Sequence, residues 1–470
     1  MPDSCVQHIT TRGPTDQRHT TRRDTMDRRE FLTTAAGVWA ATALAQENQR
    51  VAANDRIAVA LIGCGGMGNA NLADFVRLPD FEVIALCDVD ERQYGNSLRI
   101  LEKAGRRTSN IKMYEDYRKM LDERKDLDAV IIATPDHHHA YALIHACHAG
   151  RNGQGVDVYC EKPISHNIVE GRAMVNAVRK QKRVCQIGTQ QRSGQHFKDA
   201  VEYVRSGKLG KVYLCRTWIT NNTPPEGCGN PPDQEQPPAG VNYDLWLGPA
   251  PKRPFNAARF HGNFRWFFDY GNGLCNDWGV HLNDIVLWAM NVRWPLAVSA
   301  CGGKHEMKDN SDTPDTLDVT YEYPDFTHIY TVRRGRVHGG FGGRTHGMEF
   351  VGTNGTLTLD RSGWVVTFPD GKQERHGGSE QHFAHVQNFL HCLRHREEKC
   401  ASDIEDMHYA TNTCHLANIS YKLKRKIYWD GQNERCYRGY NIVDKRFVHE
   451  DGEANALLFR QPRAGWQLHT

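Results

Sequence analysis

Three short stretches of this chain carry side chains suited to moving protons and charge. In Tyr159-Cys160-Glu161-Lys162-Pro163 a lysine ends an apolar run with a proline on its far side. An ammonium there can hydrogen-bond a hydroxyl and stabilise the alkoxide that develops as its proton leaves. In Asp277-Trp278-Gly279-Val280-His281 a carboxylate and an imidazole stand four residues apart, the spacing of one helix face. A carboxylate beside the ring would orient it and support the imidazolium, so His281 could take a hydroxyl proton near neutral pH. Taken singly, the first stretch also reads as an exposed turn and the second as a helix ion pair. The third stretch, Gly63-Cys64-Gly65-Gly66-Met67-Gly68, has the spacing G-x-G-x-x-G.

The elements around the glycines give them meaning. They follow an apolar run, Ile57–Ile62, and open a helical stretch; a second apolar run, Phe81–Cys87, then ends on Asp88, twenty residues past Gly68. This is the β-α-β pattern of a dinucleotide site. Gly63 permits the tight turn, Gly65 admits a pyrophosphate close to the backbone, and Gly68 lets helix and strand pack closely. The helix start at Gly66 and Met67 offers free N–H groups and a positive dipole end to the phosphates. Asp88 can accept bonds from a ribose hydroxyl and would repel a 2′-phosphate, so NAD is expected over NADP. A further strand, Ala129–Ala133, ends in Thr134-Pro135-Asp136, and ligands bind open α/β sheets at the carboxyl ends of strands. Thr134, Pro135, His137 and Glu161 are therefore placed with the cofactor. His137-His138-His139 invites a metal reading, but consecutive helical side chains point in different directions and cannot share one ion; no metal is expected.

Composition excludes several classes. The 470 residues are 39% hydrophobic and 24% charged with a formal net charge of +3, ordinary for a globular protein. No basic stripe or reader motif suggests a nucleic-acid partner. The 14 cysteines include no C-x-x-C and read as buried free thiols. Residues 1–25 are polar and basic and are expected to be disordered, with Met26 a possible initiator. Asp27-Arg28-Arg29-Glu30-Phe31-Leu32 and the small, mildly apolar run to Ala45 have the form of a twin-arginine signal cleaved after Ala43 or Ala45, predicting an exported, periplasmic protein. That run is too short and weak to span a bilayer. Export after folding would load NAD beforehand and keep buried thiols protected.

From residue 55 to 188 strands and helices alternate, predicting a doubly wound parallel sheet. Beyond it, residues 189–460 form a second, α+β domain, followed by a tail, 461–470. Its strand patterns at Val212–Ile219, Leu317–Tyr323, Thr327–Arg333, Met348–Gly352, Thr356–Leu359 and Trp364–Phe368 predict an antiparallel sheet with one covered face. The stretch Asn221–Gly240, with six prolines and three glycines, reads as a long loop. Helices are predicted at Gln381–His395 and Asp403–Lys424, with an irregular end to the chain.

Together, the glycine fingerprint with Asp88, Glu161-Lys162-Pro163 and Asp277-x-x-x-His281 resemble the glucose–fructose oxidoreductase / inositol dehydrogenase (Gfo/Idh/MocA) family in order and spacing. Thr134-Pro135-Asp136-His137, Trp246-Leu247-Gly248-Pro249, Arg265-Trp266 and Val351-Gly352-Thr353-Asn354-Gly355-Thr356 add to the likeness. The resemblance implies a Rossmann domain and a C-terminal domain with a large open, mainly antiparallel sheet, often used for homo-oligomer contacts. It implies Lys162, Asp277 and His281 as catalytic residues: His281 takes the proton of a sugar hydroxyl, Lys162 polarises the oxygen and Asp277 orients His281. Trp278 departs from the family, which commonly has an aliphatic residue there; it could stack on a sugar or fill the core. The leading expectation is NAD-dependent oxidation of a sugar, cyclitol or related polyol. A glycosidase using transient oxidation and elimination, and a non-catalytic NAD-bound sugar-binding protein, are the alternatives.

Overall fold

The apolar runs of the first half become the central strands of a sheet covered on both faces. A computed structural model describes residues 55–337 and 341–468; the leader and the twin-arginine pattern lie outside them. Strands β1 (Ile57–Ile62), β2 (Phe81–Cys87), β3 (Lys112–Tyr114), β4 (Ala129–Ile132), β5 (Asp157–Cys160) and β6 (Cys185–Ile187) pair in parallel in the order β3-β2-β1-β4-β5-β6. The two-residue period of a strand sends neighbours to opposite faces. Ala60 and Ile62 of β1 and Val130 and Ile132 of β4 join one core, Val59, Leu61, Ala129 and Ile131 the other. Both faces are dry, so the strands read as unbroken apolar runs instead of alternating ones. The order reverses between β1 and β4, and a crevice opens there at the strands' carboxyl ends.

The second sheet has eleven strands: β7 (Val212–Asn222), β8 (Ala297–Gly303), β9 (Thr316–Glu322), β10 (Thr327–Gly335), β11 (His346–Gly352), β12 (Gly355–Asp360), β13 (Gly363–Thr367), β14 (Gln373–Gly377), β15 (Ile427–Asp430), β16 (Arg435–Asn441) and β17 (Arg446–Glu450). Their order is β14-β13-β12-β11-β7-β10-β9-β8-β15-β16-β17. All neighbours are antiparallel except β7 and β10, which run parallel. On β9, Leu317, Val319 and Tyr321 are buried while the residues between them are half-exposed. That buried face packs in one core with the helices Gly273–Met290 and Ile404–Leu423.

One expectation is corrected. The chain after residue 424 is not irregular: it supplies β15 to β17, with Ile427 and Trp429 buried against β8. These strands are short and rich in charge, so their alternation is weak. The sheet is mainly antiparallel as expected, with β7 alone entering beside β10 in the same direction. Its edges, β14 and β17, are polar and largely exposed, which discourages pairing with further strands.

The C-terminal half sends one helix back over the parallel sheet. In His382–Arg394, Val386 and Phe389 join the core of Val59 and Leu61, and Phe389 packs against Phe75 and Tyr159 with ring centroids 6.1 and 5.8 Å away. Phe389 is fully buried. Phe389→Ala is expected to cost about 3–5 kcal/mol, read as a lowered urea midpoint with an unchanged slope.

Candidate active site

The turn after β1 is built for close approach. Gly63 has φ +92°, and a Cβ there would stand 2.6 Å from the Ala133 carbonyl oxygen. A Cβ on Gly68 would collide with the Gly63 carbonyl, whereas Gly65 and Gly66 face open space. The helix Gly66–Phe75 thus sits hard against its own strand while its first turn stays bare. Above that turn lies a cleft of about 460 Å³. Gly63, Gly65, Gly66, Met67, Asp88, Thr134, Pro135, Glu161 and Lys162 line it. Gly68 does not line it; its part is the packing beneath.

Asp88 lies at one end. Its Oδ2 accepts from the Cys64 N–H at 2.7 Å and its Oδ1 from the Asp90 N–H at 2.9 Å. Burial raises its pKa to about 6, against the pull of those backbone donors. Thr134 Oγ1 is buried beside the cleft without a hydrogen-bond partner among the described residues. A bare helix N-terminus, a carboxylate near the β2 end and an orphaned hydroxyl suit the phosphates, ribose and amide of a dinucleotide.

Lys162 follows β5, and its peptide bond to Pro163 is cis. Its Nζ donates to Asp277 Oδ1 at 2.7 Å and to the Asp277 carbonyl at 2.8 Å. Arg265 Nε donates to the same Oδ1 at 3.0 Å. These two cations hold the Asp277 carboxyl well below its ordinary range despite burial. The Lys162 end of the first sheet and the helix Gly273–Met290 of the second half meet at this carboxylate.

His281, one helical turn beyond Asp277, is buried, and its Nδ1 has no hydrogen-bond partner among the described residues. Burial, with the nearby charges of Lys162 and Arg361, holds its pKa well below the ordinary imidazole value, so the ring is neutral at pH 7. The expected Asp277–His281 hydrogen bond is absent. The i, i+4 spacing puts both on one face, but the carboxylate turns to two full cations instead of a neutral ring.

His137 is the other correction. It is buried, its Nε2 lies 2.9 Å from the Trp246 carbonyl oxygen, and it does not line the cleft; its neighbour His138 does. Glu161 lines the cleft but is tied below it, accepting from Asn71 Nδ2 at 2.9 Å. Among the described residues no group of three His, Cys, Asp or Glu could hold a metal ion.

Sequence reasoning missed four contributors. Arg265 stood only as part of an Arg-Trp pair, although it lies twelve residues before Asp277. Asp136, at the start of the helix Asp136–His148, lines the cleft, and burial raises its pKa to about 7. Trp246 and Trp466 also line it. Trp466 packs edge-on to His138, with centroids 5.4 Å apart, and nothing in its local sequence signals that placement.

Residues 57–189 match the family model described as oxidoreductase family, NAD-binding Rossmann fold, and residues 230–468 that of the oxidoreductase family C-terminal alpha/beta domain. A glycosyl hydrolase family 109 protein of Stenotrophomonas maltophilia is 38% identical over 141 residues, 29% of this chain and 29% of that protein. The inositol 2-dehydrogenase of Rubrobacter xylanophilus is 30% identical over 170 residues, 36% of this chain and 45% of that protein. Each match spans under half of the relative's length. An oxidoreductase from Agrobacterium radiobacter, solved with NAD+, L-tartaric acid and magnesium, shares the fold at a TM-score of 0.60 and 16% identity, covering 79% of this chain and 98% of that one.

Asp136 makes a stability prediction. Its folded pKa, about 7, lies above the ordinary carboxylate value of about 4. Its contribution is therefore full below pH ~4 and is lost as pH rises through ~7. Asp136→Asn keeps the neutral form at all pH. Its thermal stability relative to the parent is expected to grow between pH ~4 and ~7 and to level off above; a flat difference would contradict the burial of this carboxyl.

Proposed function

Because this chain belongs to the Gfo/Idh/MocA oxidoreductase family, matching its models over both halves, we propose that it oxidises a hydroxyl of a sugar, cyclitol or related polyol with NAD. The observation that carries this reading is the approach of Lys162 to Asp277, one turn from the neutral His281, at a glycine-floored cleft. NAD, when bound, supplies the hydride acceptor. His281, kept neutral by burial, takes the hydroxyl proton. Lys162 donates a hydrogen bond to the substrate oxygen as its negative charge grows. Asp277 holds the Lys162 ammonium in place, and Arg265 shares that carboxylate.

A second reading is favoured by the 38% identity over 141 residues to the glycosyl hydrolase family 109 protein. In it the same proton transfers serve a transient oxidation that lets a glycosidic leaving group depart. Purified protein with NAD is offered free sugars, cyclitols and aryl glycosides. Net NADH is expected; aglycone release without net NADH would replace the first reading by the second, and bound cofactor with neither would leave a sugar-binding protein. His281→Ala is expected to lower turnover by about 10²–10⁴-fold with NAD affinity unchanged, measured by protein fluorescence. Loss of NAD binding would contradict the assigned role.

Export by the twin-arginine route and a homo-oligomer are parts of the same proposal. The Arg28-Arg29 pattern supports the first, and so does the burial of every described cysteine except Cys228 and Cys301. Among the described residues no helix is long and apolar enough to cross a membrane. Replacing Arg28 and Arg29 by lysine is expected to retain the protein in the cytoplasm on fractionation; unchanged export would remove this assignment.

A further inference from the structure

Arg361 lies in the turn between β12 and β13, outside the Lys162–Asp277–Arg265 cluster but beside it. Its guanidinium carbon sits 4.7 Å from the centre of the Trp278 ring. Its Nε is buried with no hydrogen-bond partner among the described residues. The preceding Asp360 is not its counter-ion, because that carboxylate pairs with Arg344 and with Ser362. The carboxylate whose charge reaches Arg361 is Asp277, already bonded to Lys162 and Arg265. A half-buried guanidinium, its Nε closed off from water, is thus left without an anion of its own.

The indole beneath it gathers other unmet groups. His281 meets the Trp278 ring at 5.9 Å and His346 at 4.8 Å between centroids. His281 Nδ1 and His346 Nε2 are, like Arg361 Nε, buried without partners among the described residues. Trp278 is therefore a shelf that seats Arg361 next to the proposed proton acceptor.

This inference rests on the sugar-oxidising reading. We propose that Arg361 binds a carboxylate of the substrate, so that the preferred substrate is a sugar acid of the uronate or aldonate class and not a neutral sugar. A guanidinium presents paired N–H donors that match the two oxygens of a carboxylate. One guanidinium without an anion of its own matches the single charge of a carboxylate, while Lys162 is kept for the substrate hydroxyl and Arg265 for Asp277. The flat Trp278 face holds the guanidinium plane and shields it from water.

The test uses the full chain loaded with NAD. Glucuronate, galacturonate and gluconate are compared with glucose and galactose, by NADH formation and by calorimetric binding. The acids are expected to exceed their neutral counterparts by about 10- to 100-fold in kcat/KM and in affinity, the worth of one charge-assisted hydrogen-bond pair. Arg361→Gln is expected to remove most of that preference, Arg361→Lys to keep part of it, and NAD affinity, read separately, reports that the variants are folded. Neutral sugars oxidised with no preference for acids would leave the redox reading standing and overturn this subsite. An acid bound through Arg361 but never oxidised would uphold the subsite and overturn the redox reading. A preference that survives Arg361→Gln, or no binding of any acid, overturns the proposal.

Discussion

The Asp277 carboxylate holds the two parts of the site in one place. It accepts Lys162 from the end of a parallel strand and Arg265 from the segment before its own helix. Both Lys162 and Asp277 are largely removed from water, with side-chain exposures of 12% and 15%. Breaking such a pair leaves an uncompensated charge and costs about 3–5 kcal/mol. The two halves of the chain are thus tied by a polar contact placed where chemistry needs a fixed ammonium.

Burial then sets the protonation states around that contact, and in opposite directions for acids and bases. Asp136 and Asp277 share the same cations, yet one carboxyl is raised and the other lowered. Asp277 is hydrogen-bonded to Lys162 and Arg265, whereas Asp136 feels them only through space, and desolvation wins. His281 is also buried, and there Lys162 and Arg361 add to desolvation and keep the ring neutral. One cluster of charges therefore keeps a proton acceptor empty and an ammonium in position.

The end of the chain takes part in the same region. Arg460 donates to the His137 carbonyl and pairs with Glu170, and Arg463 donates to the Gly248 carbonyl and pairs with Asp244. Between them they tie the tail to both domains and bring Trp466 to the wall of the cleft. The tail is thus not a loose extension, although its composition resembles one.

Much of the scaffold was legible in the residues. The glycine spacing, the apolar runs ending on Asp88 and Thr134, and the Lys162 and Asp277–His281 motifs identify the parallel sheet, its crevice and the groups beside it, because local backbone needs and strand period are written in sequence order. What stayed hidden depends on partners distant in the chain. The rejection of His281 by Asp277, the inward position of His138 in place of His137, the pairing of β15 with β8 and the unpaired charge of Arg361 on Trp278 each follow from which side chains meet after folding. Sequence determined which groups are present and which face of an element they share. Only the tertiary structure decided which charge each one answers, because electrostatic preference depends on distance and on exclusion of water, and neither exists until the chain has closed.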